Sequence, residues 1–199
     1  MSNNTVYLAP DSVNVASGGR QSVRLESIDT FNEVLVIADF EHLPNAYLPF
    51  RNLSNNSVCG SWPAFWTSNL NNWPTGGEID IIEGVNLNTA NHVALHTTSG
   101  LVVQGEFQTG SFDTTNCDVN AAGQPSNAGC GGYASQTNSY SDVFNAAGGG
   151  VYAMDWRAEG IRVWHWTRGN IPSDILAGAP TTADWGEVFT HCSHADRTA

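Results

Sequence analysis

The chain has 199 residues with 7 Arg, no Lys, 19 acidic residues and a formal net charge of −12. The missing lysine excludes a Schiff-base lysine, a pyridoxal-phosphate site and a Walker P-loop, and so acidic a chain lacks the cations that neutralise the phosphates of nucleic acid. The length suits a single domain over 1–199 with a substantial core, and 7 Trp and 20 Gly among many Asn, Ser and Thr describe a polar, loop-rich β protein of the kind that holds sugars.

Met1 to Pro10 has neither a basic start nor the apolar run of a secretory signal. No stretch approaches the roughly 20 apolar residues that cross a bilayer, so no membrane partner is expected. Asn3, Asn52 and Asn55 each open an N-x-Ser/Thr sequon, and the reading favours a protein whose signal lay in an N-terminal segment missing here. Ser22 to Ile28 alternates like a strand, and Val34 to Phe40 is an apolar run suited to a buried one. Val93 to Thr97 is short and β-rich. Residues 99–150 are Gly/Ser/Asn-rich and weakly periodic, which predicts long surface loops. Val151 to Arg157 and Ile161 to Trp166, separated by Ala158-Glu159-Gly160, form the clearest hairpin, with Ile161, Val163 and His165 on one face and Arg162, Trp164 and Trp166 on the other. No helix with caps and a sustained 3.6 period is found, and no repeat or linker. The sum is an all-β, two-sheet sandwich.

Chemistry concentrates in Glu78-Ile79-Asp80-Ile81-Ile82-Glu83. β-Branched residues favour an extended strand whose side chains alternate, so Glu78 and Asp80 share a face and Glu83 has the wrong parity. One extra residue in a β-bulge repairs the parity and brings Glu83 onto the same face, with Ile79 turned to a core. Cleavage of a glycosidic bond needs two carboxyl groups in different protonation states, held roughly 5 to 5.5 Å apart for a retaining mechanism. A solvated strand face or a cation site is the plainer alternative. Just upstream stand Trp62-Pro63-Ala64-Phe65-Trp66 and Asn72-Trp73-Pro74. An indole stacks on the apolar face of a pyranose while its N–H and nearby amides meet hydroxyls, so Trp62, Trp66 and Trp73 are candidate sugar contacts. Trp62 and Trp66 serve equally well as core filling. Cys117 and Cys130 bracket a Gly/Asn/Pro-rich loop and either form a disulfide or remain free thiols. Cys192 and His194 are too few ligands for a metal site, and none is expected.

The chain resembles glycoside hydrolase family 16, and more closely its laminarinase-like fungal members acting on 1,3 and 1,3-1,4 β-glucans. The likeness runs from about Ser22 to Trp185 and rests on Gly60 to Trp66, Trp73-Pro74, Gly77 to Asn86, Leu95-His96-Thr97, Cys117 to Asn120 and Ile161 to Trp166. It implies a concanavalin-like jelly-roll sandwich of two curved antiparallel sheets, with the glucan on the concave face. It also implies an extracellular, cofactor-free monomer and a retaining double displacement, with Glu78 as nucleophile, Glu83 as acid/base and Asp80 bonded between them. His96 is similar to the family histidine near the acid/base and takes a supporting role. Family domains also have strands before Ser22 and a Gly-Asp-Trp segment after the present end, and the partner expected for Cys192 has no counterpart here. The resemblance therefore implies truncation at both ends, with unpaired sheet edges. Two functions stay in view, a β-glucan endo-hydrolase and an inactive or lectin-like glucan binder. Transfer of the glycosyl group to another sugar is a variant of the first.

Overall fold

The computed structural model describes residues 5–9, 13–44, 61–103 and 109–193. The chain divides into two compact units, Met1–Asn32 and Glu33–Ala199. The described residues of the first unit contain no strand or helix. Ser22 to Ile28, expected as a strand, forms none, and Val23, Leu25 and Ile28 are exposed. Alternation makes a strand only where the backbone finds a partner and one face is buried. Here the alternating apolar side chains stay exposed.

The second unit contains, in chain order, β1 (Leu35–Phe40), β2 (Ala64–Ser68), β3 (Glu78–Glu83), β4 (His92–His96), β5 (Gly110–Thr114), β6 (Cys130–Ala134), helix α1 (Ser141–Ala146), β7 (Gly150–Arg157), β8 (Gly160–Thr167), helix α2 (Ser173–Leu176) and β9 (Thr190–Ser193). One sheet runs β1-β7-β8-β9 and the other β2-β3-β4-β6-β5, with every pairing antiparallel. The sheets meet through a core that joins Ile79, Ile81, Ile82, Val93 and Leu95 of the five-stranded sheet to Tyr152, Met154 and Val163 of the four-stranded one. A sandwich results. The outer face of the four-stranded sheet is covered too: Trp164 and Trp166 meet the Trp185 ring edge-on at 5.2 and 5.1 Å. The alternation expected for Ile161 to Trp166 is observed, with both faces in use.

Four expectations need correction. The apolar run at Val34 to Phe40 forms β1, but among the described residues it lies at a sheet edge and is only half-buried. The region 99–150 is not all loop, because it contributes β5, β6 and α1. In β6, Cys130-Gly131-Gly132-Tyr133-Ala134, glycine replaces the apolar alternation: a Cβ at Gly131 would lie 2.4 Å from the Val93 carbonyl oxygen. Close approach of backbones selects glycine and erases the period. Among the described residues two short α-helices occur despite the absence of a helical pattern, because 6 and 4 residues are too few to display one. The β7–β8 turn is the two residues Ala158-Glu159, since Gly160 already pairs with Arg157.

Candidate active site

The position of β3 between β2 and β4 decides where its carboxylates point. Against β4, Glu78 opposes His96, Asp80 opposes Ala94 and Glu83 opposes His92, so three steps along β3 match two along β4. Against β2, Trp66 opposes Asp80 and Phe65 opposes Ile82. Ile81 is therefore the extra residue of a β-bulge. Directly opposed residues share a face. The bulge thus sets Glu78, Asp80 and Glu83 on one side with Trp66, His92 and His96, while Ile79, Ile81 and Ile82 enter the core.

Burial and contact separate the three acids electrostatically. Asp80 and His96 are buried, with His96 Nε2 3.1 Å from Asp80 Oδ2. Burial raises the pKa of Asp80 although His96 pulls it down, and the charge of Glu78 adds to the rise. Burial works against a charged His96, yet the hydrogen bond and charge of Asp80, with Glu78 and Glu83 behind them, outweigh it and raise its pKa. Glu83 is raised first by burial and then by the charge of Asp80, while its bond from Trp62 pulls the other way. That bond runs from Trp62 Nε1 to Glu83 Oε1 at 2.8 Å. The row thus holds a buried Asp–His pair at its centre and a carboxyl of raised pKa at one end. Glu78, Asp80 and His96 also offer donor atoms within 4.8 Å of one another, a cation's requirement in spacing, but His96 Nε2 is already turned to Asp80. An open cleft of about 440 Å³ lies at the Glu83 end, lined by Trp62, Glu83, Asn86, Asn88, His92 and Tyr133 among others.

A family model described as an XgeA-like, catalytic domain of glycoside hydrolase family 16 matches residues 1–198. The chain belongs to glycoside hydrolase family 16. A probable glycosidase of Schizosaccharomyces pombe is 46% identical over 184 residues, which cover 92% of this chain and 41% of the relative. An endo-1,3(4)-β-glucanase of Arthroderma benhamiae is 43% identical over 189 residues, covering 93% of this chain and 38% of its own. Among solved structures, laminarinase 16A from Phanerochaete chrysosporium, with β-glucans in donor and acceptor sites, matches with a TM-score of 0.78 at 39% identity, over 89% of this chain and 56% of that one. An elongating family 16 β-1,3-glucosyltransferase matches with a TM-score of 0.76 at 38% identity, over 90% and 55%. The chain therefore spans about two fifths of these curated relatives (41% and 38%) and just over half of these solved chains (56% and 55%). Its two-sheet sandwich is the family's jelly roll.

Within this family 16 site the sequence-predicted residues divide into three groups. Glu78, Asp80, Glu83, His96 and Trp66 share the face, and Trp62 reaches it through its indole N–H. Trp73 is 41% exposed in the connection from β2 to β3, which enters β3 at Glu78, whereas Trp62 is bonded to Glu83 at the other end of that strand. Cys117 and Cys130 are joined by a disulfide that is buried in the core and faces away from the carboxylates. The sequons at Asn3, Asn52 and Asn55, together with Cys59 and His194, lie outside the described residues. Three residues escaped sequence reasoning. His92 Nε2 lies 3.2 Å from Asp113 Oδ1 and its ring sits 4.6 Å from that of Tyr133, so both line the cleft. Asn91, fully buried, contacts the bulge itself. His92 has the same strand parity as His96, which is the one signal that would have found it.

Proposed function

We propose that this chain, over 1–199, is a single catalytic domain that hydrolyses internal 1,3 or 1,3-1,4 β-glucosidic bonds with retention of configuration. The observation that carries the reading is the bulge, which puts Glu83, with its raised pKa, on the same face as Glu78 and Asp80. In the first step a Glu78 carboxylate oxygen attacks the anomeric carbon. The glycosidic C–O bond breaks as Glu83 gives its proton to the departing sugar oxygen. Negative charge leaves Glu78 as the glycosyl ester forms, and Glu83 becomes a carboxylate. In the second step Glu83 takes a proton from water, the water oxygen bonds to the anomeric carbon, and the ester C–O bond breaks to restore Glu78. Asp80, with His96 behind it, tunes the nucleophile, and no cofactor takes part. Trp62, Trp66 and Trp73 provide ring faces for glucose units along the row.

The partner is thus a β-glucan polysaccharide or oligosaccharide, met outside the cell by a monomer that binds neither nucleic acid nor membrane. Among the described residues no helix is long and apolar enough to cross a membrane. Reducing-sugar release from laminarin and from mixed-linkage glucan tests the hydrolase. The wild type is expected to release sugar, and Glu78→Gln to lose at least about 10³-fold in kcat, the scale on which removal of a covalent nucleophile acts. Glucan binding by wild type without any release would favour the inactive, lectin-like alternative. Glycosyl transfer to a second sugar uses the same ester, and product length at high acceptor concentration separates it from hydrolysis.

A further inference from the structure

At a β-bulge the extra residue disrupts the ladder, and nearby backbone groups need other partners. Asn91 supplies two of them. Its Nδ2 donates to the Ile81 carbonyl oxygen at 2.9 Å, and its Oδ1 accepts from the Glu83 N–H at 3.0 Å. One planar amide therefore spans the bulge from the extra residue to Glu83. The side chain is fully buried and anchored in turn. The Asn91 N–H donates to Ser139 Oγ at 3.1 Å, and its carbonyl accepts from the Ala134 N–H at 2.9 Å. Ser139 Oγ donates onward to the Gln136 carbonyl at 2.8 Å, while the hydroxyl of Tyr152, on the opposite sheet, donates to the Ser139 carbonyl. Immediately after Glu83, the Gly84 carbonyl accepts from the Tyr140 hydroxyl at 3.0 Å, and a Cβ at Gly84 would lie 2.5 Å from the Tyr140 ring. The main chain of Glu83 is thus gripped from the core side by groups that never reach the cleft.

We propose that Asn91 is a positioning residue for Glu83, holding the main chain of the acid/base where its carboxyl meets the departing sugar oxygen. This rests on the reading of Glu83 as acid/base. An ordinary strand residue has its N–H placed by a neighbouring strand. The N–H of Glu83 is placed by a side chain, so the direction of its carboxyl depends on one amide. Misplacement by about 1 Å can cost about 100-fold in rate.

The test compares kcat/KM, which reports the bond-breaking step, for two substrates. Laminarihexaose has a sugar leaving group that needs a proton; 2,4-dinitrophenyl β-laminaribioside has one that departs without it. In the full chain, Asn91→Ala is expected to lose about 10- to 100-fold on laminarihexaose, part of the roughly 10² to 10⁴ a general acid supplies, and little on the dinitrophenyl substrate. Glu83→Gln should show the same pattern more strongly. If Asn91→Ala does not fold by thermal melting, Asn91→Asp allows the same comparison, because it keeps the volume and an oxygen for the Glu83 N–H while setting a second oxygen against the Ile81 carbonyl. Ser139→Ala, which withdraws one support of Asn91, should give a smaller loss with the same dependence on leaving group. Equal losses on both substrates, or no loss on either, in whichever variant folds would overturn the assignment to Asn91. A wild type inactive on both substrates would overturn the hydrolase reading instead.

Discussion

Glu83 stands between opposing influences, since burial and the charge of Asp80 raise its pKa while the Trp62 indole favours its charged form. Trp62→Phe keeps an aromatic ring and removes the donor. The pKa of Glu83 should then rise, and the basic limb of kcat/KM should move to higher pH by up to about one unit, a size typical of environmental shifts in carboxyls. A pH–rate profile with an unmoved limb would show that the bond to Glu83 is not made in solution. The carboxylates themselves were legible in the sequence because Glu78 and Asp80 obey strand parity and Glu83 breaks it, which only an extra residue can reconcile. Asn91 was not legible, because its amide acts on main-chain atoms and leaves no charge, period or motif to read. The roles of Trp62 and Trp66 as core or platform also needed the structure: Trp62 is 69% exposed, and Trp66 lies opposite Asp80.

Among the elements, β6 carries the clearest constraint. It pairs with β4 on one side and β5 on the other, and at Gly131 a Cβ would lie 2.4 Å from the Val93 oxygen and 2.9 Å from His92 Cε1. Gly131→Ala is therefore expected to destabilise by about 1–3 kcal/mol, as overpacking does, and to disturb His92 at the cleft. Urea denaturation with an unchanged midpoint would contradict that crowding. The hairpin of β7 and β8 was readable from its alternation, since both of its faces bury side chains of consistent type. Strands β5 and β6 were unreadable for the opposite reason, because β5 is interrupted by a register shift after Phe112 and β6 by paired glycines. At Ser22 to Ile28 the pattern was present and the strand was not. Periodicity reports burial of a face, and here no face was buried.

At the scale of the molecule, a buried histidine ties the four-stranded sheet to the segment that follows β6. His165 of β8 packs 4.7 Å from the Tyr152 ring and 5.8 Å from that of Phe144, with Nδ1 2.9 Å from Gln136 Oε1. Burial lowers its pKa from 6.5 to about 4. The unfolded chain therefore binds the proton first as pH falls. Stability from this group is complete above pH 6.5, declines between 6.5 and about 4, and is level below that, a loss of about 3 kcal/mol. Asp80 and Glu83, whose pKa values are raised, act with the opposite sign above the usual carboxylate range. The difference between wild type and His165→Gln in denaturant titrations at pH 7 and pH 4 isolates the histidine, and a flat difference would refute its buried neutral state. The sandwich was legible at this scale from strand-like runs and turns, and the family from its acidic and aromatic motifs. The bonds of His165 to Gln136, and of Tyr152 and Asn91 to Ser139, were not, because such contacts follow from tertiary packing alone. The most direct test of the account is proton NMR of laminari-oligosaccharide hydrolysis during the first minutes. Double displacement through Glu78 and Glu83 predicts that the β-anomer of the new reducing end appears first and then mutarotates, whereas initial release of the α-anomer would contradict it.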